Sequence, residues 1–293
     1  MGLYRRILLL ASPALQQTSA FHRASWLALT TGASLHIALI DRDATVDVEA
    51  FLQQRRQWLD EQANVLRAHR IGVSTQVIWA DSPTDMALAL IADSEHDLVI
   101  RDVERDTPLL PLTLSPLDWQ LLHRSQRPVL LVGPAQRPVP KVVIAAVDVS
   151  VSGDQQLNQQ VVRQACELAD ACDAVLHLFY GFLVPSGIAD DFGGSLFAAL
   201  MRNDREALEV LAQQFRLPAA QVHFRAGPAV SGLSELAADL AADVLVIGVD
   251  GGGDASQPAQ LGSTVRALMH RAPCDVLAVK RLDGRSSGLS AAR

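Results

Sequence analysis

The sequence predicts an α/β fold in which two copies of one domain follow each other along the chain. Short apolar runs alternate with longer amphipathic segments throughout the 293 residues, a pattern typical of parallel sheets covered by helices on both faces. The second half repeats the order of the first, and a proline-rich stretch at 133–140 separates them. We therefore predict two tandem domains, at 1–135 and 136–293, each a five-stranded, doubly wound parallel sheet.

The elements of the first half are bounded by residues with clear conformational preferences. Gly32 and Gly72 follow two amphipathic segments, and glycine commonly ends a helix because it adopts positive φ without steric cost. Pro83 suits the first turn of a third helix, where its missing N–H would be unpaired anyway. The predicted strands are 3–11, 35–40, 73–79, 97–101 and 128–132, and the predicted helices are 14–31, 46–69 and one that begins at 82–83.

The second half carries the same series, and two of its segments align with the first half almost without gaps. Residues 96–100 align with 242–246, and a His-Arg pair at 123–124 aligns with another at 270–271. This internal match indicates a tandem duplication. The predicted strands are 142–147, 174–180, 221–225, one that begins at 244 and leads into a loop from Gly248, and 274–280, and the predicted helices are 155–170, 193–215, 230–241 and one that begins at 262–264.

Composition and charge exclude several classes of protein. Hydrophobic residues make up 49% of the chain, which excludes a disordered protein, and the formal net charge of −7 leaves no broad basic face for nucleic acid. Three cysteines at irregular spacing do not form a disulfide framework or a zinc site. The early apolar run ILLLA is too short for a secretory signal, and no run reaches the roughly 18 apolar residues that span a bilayer. We expect a cytoplasmic protein without a membrane span.

The stretch 244–280 contains the elements of a phosphate site. An apolar, β-branched run leads into a loop with three consecutive glycines at 251–253, and the tripeptide Gly-Ser-Thr at 262–264 then begins a helix. Glycine lets the backbone approach an anion, and the free N–H groups and dipole of a helix start favour negative charge. A loose connector is the plainer interpretation of the glycines alone, and helix capping accounts for one of the two hydroxyls.

The spacing of this stretch resembles the G-x-x-G-x9-G-(S/T) loop of ATP-binding universal stress proteins. Here GVDG at 248–251 is followed by ten residues and then by GS at 262–263. The likeness extends over nearly the whole chain to tandem-domain, E-type members of that family, through the repeat, SPLDWQLL at 115–122, and VLHL at 175–178 followed by Pro185. The resemblance implies a strand order of 3-2-1-4-5, ATP or a related nucleotide as ligand, and a role in stress adaptation rather than a known reaction.

The resemblance also implies which residues hold the nucleotide. With this strand order the sheet reverses between strands one and four, so the loops after those strands flank one crevice. Asp148 ends the first strand of the second half, where the family has an acidic residue near the adenine or ribose; a turn or capping aspartate is the alternative, and both roles can hold together. A Mg²⁺ ion would screen Asp250 and Asp254 from the phosphates. The nucleotide-binding residues predicted in this way are Asp148, Gly248, Gly251, Gly252, Gly262, Ser263 and Thr264.

The first half departs from the family pattern at each of these places. Ser12 stands where the second half has Asp148, the sequence RDVE at 101–104 replaces the start of the glycine loop, and SPL at 115–117 replaces Gly-Ser-Thr. We therefore expect nucleotide binding in the second half alone.

No other group of residues in the sequence indicates catalysis or a metal. There is no nucleophile elbow, no Walker lysine after the glycines and no histidine pair at metal-ligand spacing, so at most slow ATP hydrolysis is expected. His177 alternates with apolar residues and is predicted to be a core or interface histidine. The apolar, glycine-broken segment 182–200 is a lid, a wall for a lipid-like ligand, or a loop leading into the next helix.

Two other functions and the assembly of the halves are open from the sequence. A scaffold that binds no nucleotide, or a binder of a small apolar ligand, could use the same fold. The fifth strands, 128–132 and 274–280, are apolar edges that need cover, and the family resemblance implies that they pair, so we expect the halves to pack about a pseudo-two-fold axis. A homodimer and unidentified protein partners are further expectations.

Overall fold

The computed structural model describes residues 4–42, 48–93, 95–103, 114–134, 137, 139–183, 195–249, 263–269 and 273–281. In this part of the chain, strands and helices alternate in both halves, which confirms the predicted α/β class. No helix among these residues has the length and apolar character needed to cross a membrane.

The elements of the first half follow the predicted order, and the early apolar run forms the first strand. The prediction of a helix from residue 14 is wrong at its start, because Thr18 caps the helix by accepting a hydrogen bond from the Phe21 backbone N–H. The helix ends as predicted at Gly32, whose φ is 72°. The elements are β1 (Arg6–Leu10), α1 (Ser19–Thr31), β2 (Ser34–Asp41), α2 (Val48–Ala68), β3 (Val73–Trp79), α3 (Pro83–Asp93), β4 (Leu98–Asp102), α4 (Pro116–Arg124) and β5 (Val129–Val132).

The second half contains the corresponding elements, with ends that differ from the predictions by a few residues. Its first helix begins where Asp154 accepts hydrogen bonds from two backbone N–H groups, and it ends at Asp173 in the left-handed conformation with φ of 50°. A short 3-10 helix (Ala219–Gln221) precedes the third strand. The elements are β6 (Val142–Ala146), α5 (Gln155–Cys172), β7 (Val175–Phe182), α6 (Ser195–Gln214), β8 (Val222–Ala226), α7 (Ala229–Asp239), β9 (Val244–Val249), α8 (Ser263–Met269) and β10 (Asp275–Lys280).

The described strands form one ten-stranded sheet in which the two halves face each other. Its order is β3-β2-β1-β4-β5-β10-β9-β6-β7-β8, so each half has the predicted 3-2-1-4-5 arrangement. Neighbouring strands within each half are parallel, whereas β5 and β10 are antiparallel, with Leu277 opposite Leu130. The halves are therefore joined through their fifth strands, and the predicted pairing is confirmed.

The apolar core lies on both faces of this sheet, and on each face it spans both halves. On one face, α1, α2, α5 and α6 pack on buried residues that include Leu130 and Leu277. On the other face, α3, α4, α7 and α8 pack on residues that include Leu131 and Val276. Removal of apolar surface from water is the main driving force for folding, so the junction of the halves contributes to the stability of each.

A buried ion pair also joins the two halves. Arg23 lies on α1 and Asp275 begins β10, and these residues are 1% and 3% exposed. Arg23 Nη2 lies 2.9 Å from Asp275 Oδ2, and the Gly133 backbone N–H donates to Asp275 Oδ1 at 3.1 Å. Arg23 Nε and Nη1 have no hydrogen-bond partner among the described residues. The guanidinium therefore depends on Asp275 for its compensation in a site that excludes water.

Replacing Asp275 by alanine should destabilise the protein by about 3–5 kcal/mol, because the Arg23 guanidinium would stay buried without a counter-charge. The double variant Arg23→Met/Asp275→Leu should recover most of that loss, since two apolar side chains replace the pair. Urea unfolding of the full-length variants measures both effects. Glu95→Ala removes the exposed partner of Arg6 and serves as the control that should change stability little. A comparably small effect of Asp275→Ala would contradict the role inferred for the pair.

Each half also contains two histidines that contact through their ring nitrogens. His36 Nδ1 lies 3.1 Å from His96 Nε2, and His177 Nδ1 lies 3.0 Å from His223 Nε2. His177 is thus a half-buried, paired histidine, and sequence spacing could not reveal its partner because the partner stands on another strand. Burial lowers the pKa of all four histidines. The neighbouring His36 and Arg6 contribute to lowering the pKa of His96 to about 4.

These lowered pKa values predict that stability falls as the pH drops below about 6.5, the ordinary pKa of histidine. The unfolded chain then takes up protons that the folded pairs do not bind, so stability is lost progressively down to the folded pKa of His96, about 4. Urea midpoints at about pH 7.5 and about pH 5.5 measure the loss. His96→Gln should reduce it, because the variant lacks the group with the lowered pKa. Equal wild-type midpoints at the two pH values would exclude this role of the histidine pairs.

Candidate functional site

A cavity of about 1110 Å³ lies at the carboxyl ends of the strands in the second half. Its described lining comes from the ends of β6, β7 and β9, from the loop 150–154 and from parts of α5, α6, α7 and α8. Doubly wound sheets bind ligands at this edge, where the strand order reverses, which here is between β6 and β9. The cavity therefore occupies the crevice that the strand order predicts.

Asp148, predicted to face the nucleotide, lines this cavity and also organises the loop after β6. Its Oδ1 accepts hydrogen bonds from the Ser150 backbone N–H at 3.1 Å and from the Ser150 hydroxyl at 2.6 Å. The Asn158 side chain on α5 donates to the Asp148 carbonyl at 2.6 Å and accepts from the Asp148 N–H at 3.0 Å. The structure thus shows the turn-forming role of Asp148, and contact with a ligand stays a prediction.

Two residues that the sequence analysis missed fix the shape of this loop. A Cβ at Gly153 would lie 1.9 Å from the Asp148 carbonyl oxygen, so only glycine fits there. Asn158 is 7% exposed, among the buried residues of α5. A polar residue on the buried face of a helix is a sequence signal that could have identified Asn158. Gly153 stands in a polar loop and offers no such signal.

The predicted phosphate-side residues fall partly outside the described chain. Gly248 lies in β9 and lines the cavity. A Cβ there would come within 2.8 Å of Leu157 on α5, so helix packing by itself accounts for this glycine. Ser263 begins α8 in the predicted place. Outside the described residues lie the side chains of Ser263 and Thr264 and the whole of Gly251, Gly252 and Gly262.

The described lining of the cavity is negatively charged. Asp148, Asp154 and Asp204 belong to it, whereas lysine, arginine and histidine are absent from the lining residues that the structure describes. Asp154 caps α5, and the hydrogen bond from the Leu157 backbone, with help from Arg281, keeps its pKa below the usual range. Arg281 Nη1 lies 3.1 Å from Asp154 Oδ2, beside the cavity. An anionic ligand therefore needs a cation to accompany it or a basic group at the margin.

One of these carboxylates is buried and paired with a tyrosine. Asp204 on α6 is 6% exposed, and the Tyr180 hydroxyl on β7 donates to its Oδ2 at 2.6 Å. Burial raises the pKa of Tyr180, and the hydrogen bond to Asp204 and the charges of Asp204 and Asp148 add to the effect. Asp148, Tyr180 and Asp204 all line the cavity. No sequence pattern links Tyr180 to Asp204, because they stand on different elements.

Much of the remaining wall is apolar. Phe182 and Leu183 at the end of β7, Leu200 on α6 and Leu233 on α7 line it. The segment 182–200, predicted to be a lid, a wall or a loop, therefore contributes to the wall at both of its described ends. Its residues 184–194 lie outside the described part of the chain.

At the corresponding edge of the first half, several described side chains pair with one another. Asp102 at the end of β4 accepts a hydrogen bond from the Thr18 hydroxyl at the start of α1. Arg101 Nε donates to Asp118 Oδ1 at 2.6 Å, so this arginine is committed to an ion pair. Ser115 and Asp118 form a capping box that begins α4, in the place of Gly-Ser-Thr in the second half. These contacts occupy the positions that the family pattern assigns to nucleotide binding.

Among the described residues, the other potentially reactive side chains do not form a second candidate site. The described residues contain no group of three or more His, Cys, Asp or Glu side chains that could hold a metal ion. Burial raises the pKa of Cys166 and of Cys172 to about 11, so both thiols are protonated and unreactive. The arrangement is that of a binding cavity with acidic and apolar walls.

Comparisons with known proteins agree with this architecture. The model of the "Universal stress protein family" matches residues 3–133 and 141–280. Universal stress protein E of Photorhabdus laumondii is 26% identical over 315 aligned positions that cover 100% of both chains. Its namesake in Escherichia coli K12 is 25% identical over 303 positions, covering 96% of this chain and 95% of the relative. A functionally unknown protein from Pseudomonas aeruginosa PAO1 superposes with a TM-score of 0.78 at 27% identity, over 96% of this chain and 94% of that one. The chain therefore belongs to the universal stress protein family, as a stress-response protein with two tandem copies of the family's domain.

Proposed function

We propose that the second domain binds ATP or a related nucleotide in the cavity between β6 and β9, and that the protein acts as a cytoplasmic adaptor or regulator in a stress response. The cavity is the observation that carries this proposal, because Asp148 and Gly248, two of the residues predicted from the family pattern, line it. Pockets that hold small ligands measure roughly 300–1,000 Å³, so a nucleotide fits the space available. The first domain lacks the pattern and supports the second.

The phosphates would bind at the glycine-rich loop and at residues 262–264. Backbone N–H groups at such a loop donate to phosphate oxygens, and small residues let the anion approach them. This assignment rests on the sequence, since most of that loop lies outside the described residues. It places the phosphates at the β9 side of the cavity.

The acidic lining makes a cation part of the proposal. Asp148 and Asp154 would repel a polyphosphate that arrived alone. Mg²⁺ takes oxygen ligands from phosphates and carboxylates and would neutralise both, and Arg281 beside Asp154 adds a positive charge at the margin. The cavity residues that the structure describes include no lysine or arginine to stabilise the charge that develops in phosphoryl transfer. Nucleotide binding that partners recognise, with at most slow hydrolysis, is therefore the activity we propose.

A small apolar or lipid-like ligand is the second candidate. The observation that favours it is the apolar wall formed by Phe182, Leu183, Leu200 and Leu233. Such a ligand would gain from removal of apolar surface from water and would need no cation. A scaffold with an unused cavity, acting through homodimers or other protein partners, is the outcome if neither ligand binds.

Gly262→Val in the full-length protein should weaken ATP binding by at least about tenfold, because the added side chain would separate the phosphate from charge-assisted N–H donors. Calorimetric titration measures the affinity, and removal of Mg²⁺ with a chelator should weaken wild-type binding as well. Thermal midpoints check the fold. Gly72→Ala is the matched control in the first half, since a Cβ there meets nothing closer than Ser34 Cβ at 3.8 Å.

Unchanged ATP affinity in a folded Gly262→Val variant would contradict the phosphate-loop interpretation. Absence of saturable ATP binding by the wild type would remove the nucleotide proposal altogether. Titration with a fluorescent fatty acid would then separate the apolar-ligand candidate from the scaffold. Full-length protein is needed for all of these measurements, because removal of either half would expose the paired fifth strands.

A further inference from the structure

Asp204 is a buried carboxylate with unused hydrogen-bonding capacity at the cavity wall. An ionised carboxylate has about four acceptor positions. The described residues supply it with one donor, the Tyr180 hydroxyl at Oδ2, which leaves Oδ1 without a donor from this part of the chain. Burying a carboxylate is costly unless hydrogen bonds compensate it. At 6% exposure, Asp204 therefore favours a ligand that brings donors to it.

Asp148, the second carboxylate in this part of the cavity wall, is less available as a hydrogen-bond acceptor for a ligand. Asp148 is exposed, and its Oδ1 already accepts two hydrogen bonds from Ser150. Asp148 and Asp204 nevertheless both line the cavity, together with Tyr180, so this part of the wall is negative. A phosphate would be repelled here, whereas hydroxyl groups would be attracted. The nucleoside of a nucleotide carries such donors, and its ribose presents two of them on adjacent carbons.

We propose that Asp204, positioned by Tyr180, accepts hydrogen bonds from the ribose hydroxyls of the bound nucleotide. The inference rests on the proposed nucleotide binding and deepens it, because it assigns the sugar to the β7 and α6 side of the cavity. The phosphates then extend towards β9, away from Asp204. An acidic residue that binds ribose hydroxyls is a general solution in dinucleotide-binding α/β folds.

Tyr180 is the positioning residue in this arrangement. The hydrogen bond that the Tyr180 hydroxyl donates to Oδ2 fixes the orientation of the Asp204 carboxylate. Because the carboxylate is planar, the position of Oδ1 is then fixed as well. Because the pKa of Tyr180 is raised by burial, its hydroxyl stays protonated and donates at physiological pH. Loss of the Tyr180 hydroxyl should loosen Asp204 without removing its charge.

The test compares ATP with 2′,3′-dideoxy-ATP, which lacks both ribose hydroxyls, by calorimetric titration of full-length proteins with Mg²⁺. The wild type should bind ATP at least about tenfold more tightly than the dideoxy compound, because the latter leaves a buried acceptor unpaired. Asp204→Asn should lower ATP affinity by a similar factor and bring the two ligands within about twofold of each other. Tyr180→Phe should give an intermediate ratio.

Asp239→Asn is the matched control, because this acid lies on the outer part of α7, where it pairs with Arg225. It should keep the wild-type ratio of the two affinities. A role of Asp204 confined to stability would lower the thermal midpoint of Asp204→Asn and leave that ratio intact, which would overturn the inference. If Asp204→Asn fails to fold, the wild-type ratio and Tyr180→Phe decide.

The failure of this inference differs from failure of the proposed function. A wild type that binds ATP and dideoxy-ATP equally overturns the assignment of Asp204 but keeps nucleotide binding. A wild type that binds neither ligand overturns both. Discrimination that disappears in Asp204→Asn and weakens in Tyr180→Phe supports the assignment, and no packing effect alone would produce it.

Discussion

The antiparallel pairing of β5 with β10 is the contact on which the rest of the molecule depends. Each strand is the apolar edge of a five-stranded sheet, and an uncovered edge of this kind invites pairing with other chains. Their union makes the core on each face continuous across the halves and buries the ion pair between Arg23 and Asp275. The sheet beneath the cavity of the second half is therefore continuous with the sheet of the first half, which helps to hold it in place.

The two halves share one topology but differ at the edge where ligands bind. In the first half, Arg101 and Asp118 form an ion pair, and Asp102 holds the start of α1. In the second half, the loop after β6 packs closely against Asp148 at Gly153 and lines a cavity at the carboxyl ends of the strands. A tandem duplication whose two copies have diverged at this edge accounts for both arrangements.

The regular features of this fold follow from local sequence. Alternation of apolar runs and amphipathic helices, and the internal repeat, predict the strands and the helices, whereas the pairing of the halves is implied by the family resemblance together with the apolar fifth strands. Helix α1 begins at Ser19 and not at the predicted residue 14, because Thr18 caps it. The periodicity of apolar residues does not reveal such a cap. The histidine pairs and the contact between Tyr180 and Asp204 join residues from separate elements. Such contacts depend on the register of packed elements, and no spacing within one segment encodes them.

The acidic cavity is the proposed nucleotide site, so its charge, its volume and the family pattern must all be compatible with the same ligand. The most direct measurement is the number of ATP molecules bound per chain, determined by native mass spectrometry of the full-length protein with Mg²⁺. The account predicts one, since the predicted nucleotide-binding residues and the cavity at the switch point both belong to the second half. Two bound nucleotides per chain would contradict the restriction of binding to the second half, and none at saturating ATP would contradict nucleotide binding in the cavity.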